Sequence, residues 1–155
     1  PYGTEALSTL RIEMGHVAGS ELDGRTTPFD NSLEGLLSKK KDFIGKRSLQ
    51  KEAFISPDRE KLVGVVPLDK KTSIPEGSYI VRDANAKLPN PKLGHVSASC
   101  WSVEYNNPFS LAIIKDGKNM IGQKLFALSP LKNKSIPVEI VSSHYVDPKG
   151  ERVRS

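Results

Sequence analysis

The side chains that could do chemistry in this sequence are few and scattered. Cys100 is the single cysteine, so neither an internal disulfide nor a cysteine-based metal site is available. His16, His95 and His144 stand far apart, with no HxH or HExxH spacing, and no metal site is expected. No Ser/His/Asp or Cys/His arrangement is legible, and no catalytic residue is assigned. The remaining groups are suited to binding. Lys39-Lys40-Lys41 is a basic run that can meet an anion or stand as a solvated turn. Glu13 carries two acceptor oxygens in one plane, and by itself reads as a solvent-exposed helix glutamate. Arg11 reads as a surface salt-bridge partner of Glu5 or Asp23, and Arg25 is similar. Trp101 and Tyr105 can flank a ligand or pack in a core or interface, packing being the safer reading for Trp101; Tyr145 reads as a packing aromatic and Cys100 as a small buried hydrophobe.

Composition narrows the partners. Lys plus Arg is 23 and Asp plus Glu is 18, a net charge of +5, which fits either an anionic partner or a lysine-rich soluble surface. Aromatic residues are only 6% and do not alternate with Lys or Arg along a strand, so a single-stranded nucleic-acid platform is not expected. No apolar run is long enough to span a bilayer, and no signal-peptide pattern is visible. The length of 155 residues favours one domain, or one domain with an attached segment. The chain begins at Pro1 rather than Met, which is expected of part of a longer protein.

Two kinds of element must position these groups. Ala6, Leu7, Leu10 and Met14 recur at helical spacing, which predicts a helix over 4–14 with those residues as its packing stripe. Thr4 is placed to cap it, Glu5 suits its first turn, and Gly15 is placed to stop it in the left-handed conformation. Periodicity fades over 15–41, where turn residues predict a long ordered loop, a kind of segment that tends to be functional. A second helix is expected over 46–54, with Leu49 and Ala53 facing inward. Beyond Pro57 come short strand candidates at 61–67, 78–82, 94–100, 110–115, 123–128 and 136–141. Their spacing predicts a small barrel or sandwich rather than a parallel sheet. Asp116-Gly117 reads as a hairpin-type turn. The fold class is mainly β with a short α lead-in: a helix–loop–helix over 1–57, then an all-β module over 58–155.

Four short motifs in one order then carry a family resemblance across essentially the whole chain. Leu10-Arg-Ile-Glu-Met-Gly15 resembles the LRxExG signature of the glycine-cleavage T-protein (aminomethyltransferase) family. Asp23-Gly-Arg-Thr-Thr-Pro28 is similar to that family's D-x-x-x-x-P turn, and Asp42-Phe-Ile-Gly-Lys46 to its FIG helix entry. Gly94-His-Val-Ser-Ala-Ser-Cys-Trp-Ser102 is similar to a strand of its C-terminal barrel. Pro1-Tyr-Gly-Thr-Glu-Ala-Leu7, Gly45-Lys-Arg-Ser-Leu49 and Cys100-Trp101-Ser102 further resemble the branch formed by α subunits of heterotetrameric sarcosine oxidases.

The resemblance implies a small antiparallel β-barrel of the aminomethyltransferase C-terminal type, preceded by the end of a folate-binding domain. It implies tetrahydrofolate as cofactor, in a pocket shared with polypeptide upstream of Pro1, where the family's catalytic aspartate lies. It places flavin and NAD in other parts of the complex. Glu13 corresponds to the family glutamate that binds the pterin, whose N3–H and 2-amino group offer two parallel donors to one carboxylate. One of Lys39, Lys40 and Lys41 corresponds to a basic residue near the carboxylates of the folate tail. The implied activity of the whole complex is oxidation of sarcosine to glycine, with the one-carbon unit passed to tetrahydrofolate and hydrogen peroxide released. The isolated chain is expected to be inactive. Implied partners are the other oxidase subunits and the upstream part of its own subunit, with neither nucleic acid nor membrane, in the cytoplasm. The alternatives are the aminomethyltransferase of glycine cleavage, which uses the same folate chemistry on a lipoyl-bound group, and a non-catalytic assembly module.

Overall fold

A computed structural model describes residues 1–85, 92–152 and 154–155. Period-two alternation in the second half becomes six strands: β1 (Glu60–Pro67), β2 (Tyr79–Val81), β3 (Gly94–Ser102), β4 (Asn107–Lys115), β5 (Lys124–Ser129) and β6 (Lys134–Val141). They close into an antiparallel barrel in the order β1-β4-β3-β2-β5-β6, with β6 paired back onto β1. Closure gives every strand two neighbours. The barrel expected from the resemblance is therefore the fold observed.

Alternation sorts the side chains into two cores. Val63 and Val65 of β1, Val96 of β3, Ala112 and Ile114 of β4, and Ala127 and Val138 fill the interior. Leu62 and Val66 of β1 and Phe109, Leu111 and Ile113 of β4 point outward, yet they are buried as well. These two strands are covered on both faces, which explains their near-continuous apolar runs. The pairing of β3 with β4 slips between Val96 and Ala98, and this bulge turns Ala98 and Cys100 toward the outer core.

The outer cover is the lead-in. Helix α1 (Thr4–Glu13) packs against β3 and β4. Only its last turn is inserted: Ile12 is 1% exposed and Glu13 6%, while Leu7 and Leu10 stay half exposed. Leu7 and Leu10 of the expected stripe therefore lie away from the barrel, as a stripe meant for polypeptide upstream of Pro1 would. Burying the Ile12 side chain contributes about 2 kcal/mol to docking the helix. Thr4 makes no capping hydrogen bond, and Gly3 occupies the cap position. The stop is as expected. Gly15 sits at φ 68°, and the paired bonds His16 N–H to Arg11 O (2.8 Å) and Gly15 N–H to Ile12 O (3.0 Å) close a Schellman motif.

Two further expectations need correction. The segment 46–54 is not one helix. Lys51 is extended (φ -65°, ψ 139°) and separates a 3₁₀ turn, Ser48–Gln50, from the four-residue helix α2 (Glu52–Ile55). Ala53 is exposed, and Leu49 and Phe54 are half-buried. Asp116-Gly117 does not make a hairpin either. Asp116 is left-handed, but the chain continues into the 3₁₀ turn Gly117–Met120, which buries Met120 in the barrel interior. β5 then pairs with β2 and β6 rather than with β4.

Candidate functional site

The last turn of α1 is gripped from two sides, and Glu13 lies between the grips. On one side runs the segment that follows β6. The Tyr145 and Val146 amides donate to the Glu13 carbonyl at 3.1 and 3.0 Å. A Cβ on Gly15 would lie 2.5 Å from the Ser143 carbonyl oxygen, so only glycine admits this approach. The Tyr145 ring stacks on Phe109 of the outer core (centroids 4.2 Å apart, planes 4°) and meets Tyr105 at 4.7 Å. Asn107 Nδ2 donates to the Tyr145 hydroxyl at 2.9 Å. Tyr145 is thus a packing residue, whereas Trp101 is 47% and Tyr105 48% exposed, so neither belongs to a core.

On the other side lies the loop. Arg11 Nη1 donates to Glu21 Oε2 at 3.2 Å and to the His16 carbonyl at 3.3 Å. Its partner is Glu21 rather than Glu5 or Asp23, because the loop folds Glu21 under the helix end. Glu21 is fully buried. Burial opposes its charge, but the Ser97 hydroxyl beside it, hydrogen bonds from Ala18 and Ser20, and the Arg11 guanidinium outweigh that and hold its carboxyl below the usual range. Asp23 pairs with Arg25 on the surface.

Glu13 differs from every other buried acid of the lead-in. Its Oε1 is covered by protein and has no hydrogen-bond partner among the described residues. Burying a carboxylate oxygen without a donor is unfavourable by about 1–3 kcal/mol or more. Cys100 lies close by. Burial first, and the Glu13 charge second, push its thiol up to about 12. The thiol therefore stays protonated and is a poor nucleophile.

Lys39, Lys40 and Lys41 are all exposed. Lys39 lines a cavity of about 400 Å³ walled mainly by Phe29, Leu37, Phe43 and Leu49. Glu13 lines none of the described cavities, so no described cavity joins it to the lysine run. Lys46 is tied back to Asp42 at 3.0 Å. His16 is exposed. Among the described residues no group of His, Cys, Asp and Glu could hold a metal, and no helix is long and apolar enough to cross a membrane.

Two residues escaped the sequence reading. Glu21 is one. The other is Asp30, 2% exposed, which accepts from Arg59 (Nε 3.0 Å), Lys61 (Nζ 3.0 Å) and the Thr27 amide and hydroxyl (2.8 and 2.9 Å). Burial opposes its charge, but these donors hold its carboxyl at about 2. Thr27-Pro28-Phe29-Asp30 has the T-x-x-D spacing of a capping box, a signal that could have marked it.

Comparisons with known proteins agree with this architecture. The glycine cleavage T-protein C-terminal barrel domain matches residues 60–147, from the start of β1 to just past Tyr145. The sarcosine oxidase subunit alpha of Rhizobium meliloti (strain 1021) is 40% identical over 155 residues, 99% of this chain and 16% of that protein. An aminomethyltransferase of Prochlorococcus marinus (strain NATL1A) is 35% identical over 118 residues, 74% of this chain and 29% of that protein. The crystal structure of glycine cleavage system aminomethyltransferase T from Bartonella henselae matches with a TM-score of 0.68 at 19% identity, over 92% of this chain and 38% of that one, which is a likeness of fold. The chain spans about a sixth of the length of the oxidase subunit it matches. With its closed barrel, its strand order and a domain match over more than half its residues, the chain belongs to the glycine cleavage T-protein C-terminal barrel domain family.

Proposed function

We propose that this chain is the C-terminal part of the folate-binding region of a sarcosine oxidase α subunit, and that Glu13 binds the pterin. The observation that carries the reading is the buried, unpartnered Glu13 carboxylate inside the Leu10–Gly15 motif. An acceptor without a donor fits a ligand edge that presents donors, and the pterin N3–H and 2-amino group are such an edge. Tetrahydrofolate, when bound, supplies the nucleophilic nitrogens that take up the one-carbon unit. The chain's own residues bind and orient: Glu13 fixes the pterin, one of Lys39, Lys40 and Lys41 faces the anionic tail, and the barrel supports the lead-in.

In this reading residues 1–57 complete the folate-binding domain and residues 58–155 form the barrel domain. The half-exposed Leu7 and Leu10 dock against the upstream part of the same subunit, which supplies the other walls of the pocket. No bond-making group is assigned to this chain. Identity of 37–40% to the oxidase subunits across the whole chain, against 35% over 118 residues to the aminomethyltransferase, favours the oxidase branch.

The test is a titration of the full-length subunit with a reduced folate, wild type against Glu13→Ala. Removing a charge-assisted pair is expected to weaken binding by about 2 kcal/mol, roughly 30-fold. Equal affinity would remove Glu13 from the site.

A further inference from the structure

Among the described residues no hydrogen-bond donor reaches the buried Glu13 Oε1 to fix its direction. Its aim is set by how α1 is turned on its axis. A side-chain tip lies about 5–6 Å from a helix axis, so a rotation of about 20° moves it by about 2 Å, enough to lose a hydrogen bond. Besides the Tyr145 and Val146 amides on the Glu13 carbonyl, a side-chain junction on the opposite side fixes this rotation. Glu21 accepts from Arg11 of α1 (3.2 Å) and from the Ala18 amide (2.8 Å) and Ser20 hydroxyl (2.9 Å) of the loop, and it lies beside Ser97 of β3, whose hydroxyl donates to the Leu111 carbonyl at 3.2 Å. Ser97 is the residue at the β3 bulge, so its place on the barrel wall is set by the slipped register. Arg11 stands two positions before Glu13 and also donates to His16 O beyond the Gly15 stop, clamping the turn that carries Glu13. Helix, loop and barrel wall therefore meet at one carboxylate that no solvent reaches.

We propose that Glu21, acting through Arg11, is the positioning residue for Glu13: the Arg11–Glu21 junction holds the last turn of α1 in the one rotation that aims the Glu13 carboxylate at a donor-bearing ligand. The role rests on the folate reading above. It assigns a ligand-dependent function to an ion pair otherwise read as structural.

The test is a double-mutant cycle on the full-length subunit, with 5-formyltetrahydrofolate as probe and thermal unfolding measured in parallel. Arg11→Gln and Glu21→Gln are each expected to weaken binding about tenfold in the wild-type background, and less than twofold when Glu13 is already Gln. Their shifts in melting temperature are the same in both backgrounds, since stability does not pass through the Glu13 side chain. Arg11→Lys keeps the charge pair and is expected to restore affinity to within about threefold, which keeps the test valid if a neutral variant folds poorly. Equal loss of affinity in both backgrounds, or no loss in either while Glu13→Gln itself weakens binding, overturns the positioning role alone. Unchanged affinity in Glu13→Gln overturns the folate reading, and the positioning role with it.

Discussion

Asp30 and Glu13 are carboxylates of similar burial, 2% and 6% exposed, one in the lead-in loop and the other at the end of α1. Asp30 is surrounded by donors: the Arg59 guanidinium, the Lys61 ammonium, and the Thr27 amide and hydroxyl. Glu13 has an oxygen sealed from water with no donor among the described residues. The same short stretch of chain thus solves the buried-acid problem completely in one place and leaves it open in another. A buried charge fully supplied with donors fastens the loop to β1, whose Lys61 and preceding Arg59 it binds. A buried charge without donors weakens the fold locally, and such a cost fits a group whose partner is a ligand. Loop and helix end therefore have different work: the first holds the lead-in on the barrel, and the second offers an acceptor.

The largest effect is expected where the donors are most numerous. Asp30→Asn leaves Arg59 and Lys61 facing a neutral amide in a buried place and should lower the unfolding free energy by about 3 kcal/mol in urea denaturation. A loss below about 1 kcal/mol would mean that the junction is a minor fastening.

Acid sharpens the same contrast. The folded carboxyl of Asp30 is held at about 2 against an ordinary 3.8, so the folded state resists its protonation. The stability this gives is present above about pH 4 and is lost as the pH falls through 2. The shift corresponds to about 2 kcal/mol. The gap between wild type and Asp30→Asn should therefore shrink by about that amount between pH 5 and pH 2. A gap that does not change with pH would contradict the assignment.

The smallest effect belongs to Glu13. Glu13→Met keeps the length and removes the unpartnered oxygen. It should leave the unfolding free energy unchanged or raise it by up to about 1 kcal/mol. A loss of 2 kcal/mol or more would show that Glu13 has a structural partner after all, and the contrast with Asp30 would collapse.

The barrel was legible because alternation and turn residues are local signals, and all six strands read from 61–67 onward form. Gly15 was legible for the same reason, since a left-handed stop is a property of one residue. The second face of α1, the one that meets the barrel, was not. Leu7 and Leu10 have the right spacing, but the barrel wall reaches only the last turn, so Ile12 and Glu13 are buried instead. The turn at Asp116 misled because its outcome depends on Met120 finding the barrel interior, a contact no local pattern records. Within the site, Glu13 stood out only through its motif, and its burial and lack of a donor were invisible in the sequence. The role of Asp30 is not legible in full because Arg59 and Lys61 are distant along the chain, and that of Glu21 is not because its donors Arg11, Ala18 and Ser20 converge only when the aperiodic loop folds under the helix end.

The most direct measurement is a crystal structure of the full-length subunit with a bound reduced folate. The account predicts both oxygens of Glu13 within about 3 Å of the pterin N3 and 2-amino nitrogens, with the Arg11–Glu21 contact intact. A folate bound elsewhere, or a Glu13 carboxyl that stays buried and turned away from the ring, would contradict it.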